Sequence, residues 1–174
     1  WSSDVCSSDL LKKGEEMASE EYGKALKMAK TAYRRAVSAG RYPYLPALDE
    51  MVRGQDVKTE EPLGMVDIPL DQIVGTKTAG RQNAFAVNFM PLMPEHSEFA
   101  RKWEGVVEYH MDQGVGDPIV AYEFMNRFYV LEGNKRVSVL KFFGADSIEG
   151  TVTRVIPYRS DEIENRIYFE FLDF

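Results

Sequence analysis

Five consecutive residues, Glu132-Gly133-Asn134-Lys135-Arg136, bring together the groups needed to hold a small anion: an acid, a glycine, an amide and two bases. They follow a run of strand-forming residues, Phe128 to Leu131, and precede a helical pattern that stops at Gly144. If the strand ends at Leu131 and the helix begins near Asn134, the first helical N–H groups lack partners within the helix. They then point outward with the positive end of its dipole. Gly133 lets a ligand approach the backbone without a Cβ in the way. Asn134 can cap, Lys135 offers a point charge, and Arg136 a planar fork that grips two phosphate oxygens. Such a corner suits phosphate. Glu132, at the strand end, is placed to accept a ribose hydroxyl, to bind a metal together with phosphates, or to act as a base. The same residues also fit an ordinary glycine turn with a capping amide and two solvated bases. The pentapeptide alone does not separate the two.

The elements that must position this corner read as follows. Ser19 is a candidate N-cap for a helix carrying Tyr22, Leu26, Ala29, Tyr33 and Val37 at helical spacing, with Gly40 as its stop, so residues 11–52 form an N-terminal helical segment. The lysines and arginines on its other faces read as a solvated surface. Residues 53–63, "RGQDVKTEEPL", are polar and punctuated by Gly and Pro, which reads as a linker. From Gly64 the pattern predicts a strand over Met65–Ile68, a helical turn in "LDQIVG" and a loop in "TKTAGRQNAF" that carries Arg81. A helix over 94–113 follows, with Phe99, Trp103, Val106, Val107 and His110 on one side; His110 continues that apolar stripe and reads as a core-edge residue. Strands at Ile119–Tyr122 and Phe128–Leu131 are separated by a hairpin-length connection. After the 134–143 helix comes a β-branched strand, Thr151–Ile156. Residues 158–174 space Ile163, Ile167, Phe171 and Phe174 at helical intervals and stop without a cap, as a fragment cut within an element would.

Composition bounds the chemistry. The 174 residues, 44% hydrophobic and 28% charged, are those of a globular chain able to bury a core. A net charge of −7 works against a duplex-DNA binder, and acids outnumber bases even between Asp71 and Arg154. No run reaches the roughly 18 apolar residues of a membrane-spanning helix. The one cysteine, Cys6, lies in "WSSDVCSSDL". That stretch resembles the translated read-through of a sequencing adaptor, so residues 1–10 are expected to be an artefactual or disordered tail, with the native N-terminus missing. The remainder offers no thiolate, and with only His96 and His110 a histidine-rich zinc site is not expected.

The order of signals from 64 to 157 resembles the ParB-like/sulfiredoxin fold. The resemblance rests on "IPLDQI" (Ile68 to Ile73), "GDPIV" (Gly116 to Val120), the Glu132–Arg136 corner and the glycine stop at Gly144. It implies an α/β (α+β) domain, a small mixed sheet with packed helices preceded by an N-terminal helix, whose acid-Gly-x-x-Arg corner binds nucleotide phosphates. Sulfiredoxins carry a catalytic cysteine directly after the corner glycine; this chain has Asn134, which excludes that thiolate chemistry. Lys135 stands where members with phosphotransfer or nuclease-like chemistry carry histidine, and Arg81 lies in "TAGRQN", not after the "Q-P" pair of partition proteins. The wider string, with "GRYPYLPALDEMV" and "YFEFLDF", is similar to N-terminal regions of bacterial BMP-family ABC transporter substrate-binding proteins.

These readings converge on a nucleotide-binding, ATP or CTP class, regulatory or sensing module, with Mg2+ as a possible companion. Gly133, Asn134, Lys135 and Arg136 would hold the phosphates with help from Arg81, and a linked or cognate ligand-binding domain would be the partner. The alternative is a nucleotide hydrolase or phosphotransferase with Glu132 as base or metal ligand and Arg136 stabilising charge in the transition state. A DNA-binding or nuclease role comes third, on family analogy alone. A cytoplasmic location is expected.

Overall fold

The computed structural model describes residues 3–114 and 116–174, with side chains from Ser7 onward. The chain is a mixed α/β protein with a five-stranded sheet and an N-terminal helix. It divides into two compact units, each assembled from three chain segments.

One unit comprises residues 45–82, 117–134 and 146–174 and contains the whole sheet. Its strands are β1 (Val57–Pro69), β2 (Ile73–Thr76), β3 (Ile119–Phe124), β4 (Arg127–Glu132) and β5 (Ser147–Pro157), in the order β1-β5-β3-β4-β2. β2 runs parallel to β4 and β3 parallel to β5, while β3/β4 and β1/β5 are antiparallel. The β3–β4 connection is the expected hairpin, turned by Met125 and Asn126, both at positive φ (54° and 62°), as a two-residue turn matching the strand twist requires. Alternation along β3 buries Ile119, Ala121 and Glu123. Leu48, on the one-turn helix α2 (Leu48–Met51), forms a core cluster with Tyr129 and Val155, and Tyr122 and Phe124 pack against it.

The linker reading of 53–63 is corrected here: β1 begins at Val57 and runs through it, paired to β5 from Val57↔Pro157 to Pro69↔Ser147. Its polarity is that of an edge strand, bonded on one side only. Lys58, Glu60 and Glu61 discourage further pairing, and Pro62 sits at a register shift where a missing N–H is tolerated. The two interleaved units do not share the 64–157 bounds, since each takes in residues outside that range.

The other unit, residues 1–44, 83–116 and 135–145, is helical. Helix α1 (Ser3–Ser38) does not start at Ser19 but runs through it and through the described part of the 1–10 segment, whose residues 7–10 are exposed; Trp1 and Ser2 lie outside the described residues. Ala18, Tyr22, Ala25, Leu26 and Ala29 are its buried stripe, whereas Val37 is exposed. Small alanines let α1 lie close to α3 (Glu98–Gln113), where Ala100, Trp103 and Val107 are buried in the same cluster. Ser97 caps α3 by accepting from Ala100 N at 3.1 Å, which starts it four residues later than the pattern suggests. Tyr22 meets Trp103 edge-on at 5.4 Å and donates to Met93 O at 2.7 Å.

Candidate functional site

The corner takes the form expected from its residues. β4 ends at Glu132, Gly133 has φ 105°, and α4 runs from Asn134 to Phe143. That φ is one glycine adopts without the steric penalty other residues meet. Glu132 is exposed and Gly133 half-buried.

Asn134 differs from the sequence reading. It is the first residue of α4, only 5% exposed, and neither Oδ1 nor Nδ2 has a hydrogen-bond partner. It therefore does not cap the helix. Gln82 belongs to the same unit, is 8% exposed, and its Oε1 is likewise unpartnered. Among the described residues these three atoms are the buried side-chain polar atoms without a partner. An unsatisfied buried polar group costs about 1–3 kcal/mol, so such groups are rare and call for an explanation.

Topology relates the two amides. β2 and β4 are parallel neighbours with Thr76 opposite Val130, so the segments Lys77–Gln82 and Gly133–Asn134 leave the sheet from the same, carboxyl end. The junction is pinned there by Lys77 N donating to Val130 O at 2.8 Å and Thr76 Oγ1 to the same oxygen at 3.1 Å. Lys77 also pairs with Asp49 and lies over the Tyr122 ring. The carboxyl end of parallel strands, where a helix N-terminus begins, is where open α/β sheets bind ligands. Arg81, next to Gln82 in a short 3-10 segment (Ala79–Ala84), is exposed.

Lys135 and Arg136 continue α4 but belong to the helical unit. Lys135 Nζ lies 4.5 Å from the centre of the Phe99 ring, a cation–π contact that holds it. Arg136 is half-buried, not solvent-facing as a surface base would be. One turn on, Ser138 is fully buried and accepts from Trp103 Nε1 at 2.9 Å, which ties α4 to α3.

Sequence reasoning missed Gln82 and also Glu123. Glu123 is 2% exposed and collects Arg154 Nε at 2.7 Å, Asn126 N at 2.8 Å and Tyr168 OH at 3.2 Å. The available signal was its register: Ile119, Ala121 and Glu123 share the inward face of β3. This network lies at the opposite end of the sheet, beside a cavity of about 850 Å³ lined by the hairpin turn, Tyr129, Tyr158 and Tyr168. Burial and the Glu123 carboxylate push the Tyr168 phenol well above the ordinary tyrosine range.

Among the described residues no group of three or more His, Cys, Asp or Glu could hold a metal ion. A magnesium ion near Glu132 would therefore draw its remaining ligands from phosphate oxygens and water. Among the described residues no helix is long and apolar enough to cross a membrane.

No family model matches this chain, and no curated protein matches it. Among solved structures, sulfiredoxin from Arabidopsis thaliana is similar at 20% identity and a TM-score of 0.34, over 51% of this chain and 82% of that one. A likeness of that degree assigns neither ligand nor activity.

Proposed function

We propose that the carboxyl end of the β2/β4 pair is a nucleotide-binding site, with the phosphate at the N-terminus of α4. The observation that carries this reading is Asn134, a buried amide at that N-terminus with both polar atoms unpartnered. A phosphate approaching over Gly133 would accept from Nδ2 and from the first backbone N–H groups of α4.

The same amide argues for more than bare phosphate. Asn134 Oδ1 and Gln82 Oε1 are both acceptors, and a hydrogen phosphate dianion has a single O–H to offer the two of them. A nucleoside phosphate brings both kinds of group: phosphate oxygens to accept, sugar hydroxyls or base amines to donate. Binding is favoured over hydrolysis because Glu132, the residue that would serve as base, is exposed and not held in a closed pocket. Passing occupancy to a linked ligand-binding domain of the BMP type is the part of the proposal supported by sequence resemblance alone.

Thermal shift on the whole chain tests this with ATP, CTP, GTP, nucleosides, orthophosphate and pyrophosphate, each with and without magnesium. One or more nucleotides should stabilise the protein by about 2.7 kcal/mol at a hundredfold excess over Kd. Orthophosphate should not. Equal stabilisation by orthophosphate would reduce the site to a simple anion cradle, and no response to any nucleotide would refute it. Phosphate release abolished by Glu132→Gln, with binding retained, would move the reading to the hydrolase.

A further inference from the structure

The C-terminal helix α5 (Ile163–Asp173) carries two apolar faces, and its own unit uses only one of them. Tyr168 and Phe169 are buried together with Asn165. Ile163, Ile167 and Phe171, by contrast, are 74%, 59% and 64% exposed, and Phe174 follows them fully exposed. At roughly 100° per residue these four positions fall within an arc of about 80°, on the side away from the buried face. They form a continuous stripe of large apolar side chains.

Rolling the helix would not hide that stripe, because the other face is fastened. Tyr168 OH donates to Glu123 at 3.2 Å. Asn165 accepts from Ser160 N at 2.9 Å and donates to Tyr158 O at 3.0 Å. Arg159 pairs with Asp173 at 2.9 Å and lies 4.4 Å from the centre of the Phe169 ring. The helix is held with its second apolar face outward.

We propose that this stripe pairs with the same stripe of a second copy of the chain, α5 against α5, antiparallel about a two-fold axis. The argument is charge self-complementarity. Exposed Arg166 and Glu170 stand four residues apart on the same flank of the stripe. In an antiparallel pair the same flanks of the two helices face each other. Packing Ile163 against the second copy's Phe174, and Ile167 against its Phe171, sets Arg166 close to its Glu170, and the two-fold repeats the ion pair. An isologous contact requires such self-matching. A lipid surface fits less well, since the stripe is bordered by Glu162, Glu164, Glu170 and Asp173, with Arg166 as the cation among them, and anionic membranes favour a basic border. A contact built on one helix from each copy is small, so the dimer is expected to be weak and concentration-dependent.

Sedimentation equilibrium on the whole chain, over a wide concentration range, tests the pairing. The apparent mass should rise from that of the 19.8 kDa chain toward twice that value. Ile167→Glu and Phe171→Glu should keep it monomeric with an unchanged circular dichroism spectrum, because both side chains are exposed in the isolated fold. Arg166→Glu and Glu170→Arg should each weaken association, and the double exchange should restore it. A protein monomeric at every concentration would overturn the proposal, as would a dimer that survives Ile167→Glu or a double exchange that fails to rescue. Capture of the monomer by phosphatidylserine vesicles without self-association would assign the stripe to lipid and equally overturn it.

Discussion

Replacing Asn134 by leucine exchanges a buried amide without partners for an apolar side chain of similar size, and this separates a ligand group from a folding group. The substitution should raise stability by about 1–2 kcal/mol, roughly 2–8 °C in Tm, while abolishing nucleotide-induced stabilisation. A leucine variant that is destabilised, or one that still responds to nucleotide, would show that the amide serves the fold. Gly75 is the opposite kind of position. A Cβ there would stand 2.3 Å from Pro46 O and 3.0 Å from the Tyr129 ring, and Pro46 O already accepts from Thr76 N at 3.0 Å. Gly75→Ala should therefore cost about 3 kcal/mol by urea denaturation, through a displaced backbone and not through lost conformational freedom. Arg136→Ala should weaken nucleotide binding by about 1.5–3 kcal/mol. Because Arg136 is half-buried, some loss of folding stability should accompany it.

Elements are joined in this protein by a few buried polar contacts. Glu123 on β3 holds Arg154 on β5 and Tyr168 on α5, so Glu123→Gln, which leaves the arginine facing an amide, should cost about 3 kcal/mol. Tyr168→Phe removes only the hydroxyl and should cost about 1 kcal/mol, the two effects being compared by urea denaturation. The tyrosines report on the same contacts. Burial raises the phenols of Tyr22, Tyr129 and Tyr168, and neighbouring carboxylates add to the effect at Tyr22 and Tyr168. A raised phenol is protonated in the folded state at a pH where it has ionised in the unfolded chain. Its contribution to stability is thus complete below the ordinary value of 10.0 and is lost as pH climbs above it. Alkaline titration followed at the phenolate absorbance should show Tyr22, Tyr129 and Tyr168 ionising above the ordinary tyrosine range, together with unfolding. Ionisation of these three within the ordinary tyrosine range would contradict their burial.

The whole molecule is threaded so that neither unit is a continuous stretch of sequence. A fragment of residues 64–157 keeps the corner but loses Tyr22, Ala25 and Ala29, which pack in the cluster with Trp103 and Val139. It also loses the first half of β1, Leu48, and the Tyr168 contact to Glu123. Expressed alone, it should fail to give a cooperative melt or dispersed amide resonances. Deleting residues 1–10 instead takes from α1 its exposed residues 7–10 and should leave Tm nearly unchanged. A well-folded 64–157 fragment would mean that the interleaved units are not the units of stability.

What the sequence determined by itself is local. β-branched and aromatic runs, helical spacing and glycine stops mark the strands, the hairpin and the helix that opens at Asn134, because backbone conformation depends on neighbouring residues. That Glu132 to Arg136 form a strand-to-helix corner was legible for the same reason. Which face of an element is covered was decided by tertiary structure. In α5 both Ile163/Ile167/Phe171 and Tyr168/Phe169 are apolar, and periodicity cannot tell which of the two meets the sheet. The polarity of β1 reads as a linker until its place at the sheet edge is known. The orphaned amides of Asn134 and Gln82 are distant in sequence and acquire their meaning through the parallel pairing of β2 with β4, which sends both segments out of the same end of the sheet. Desolvation makes an amide costly or useful, and it is a property of the packed chain, not of any window of residues.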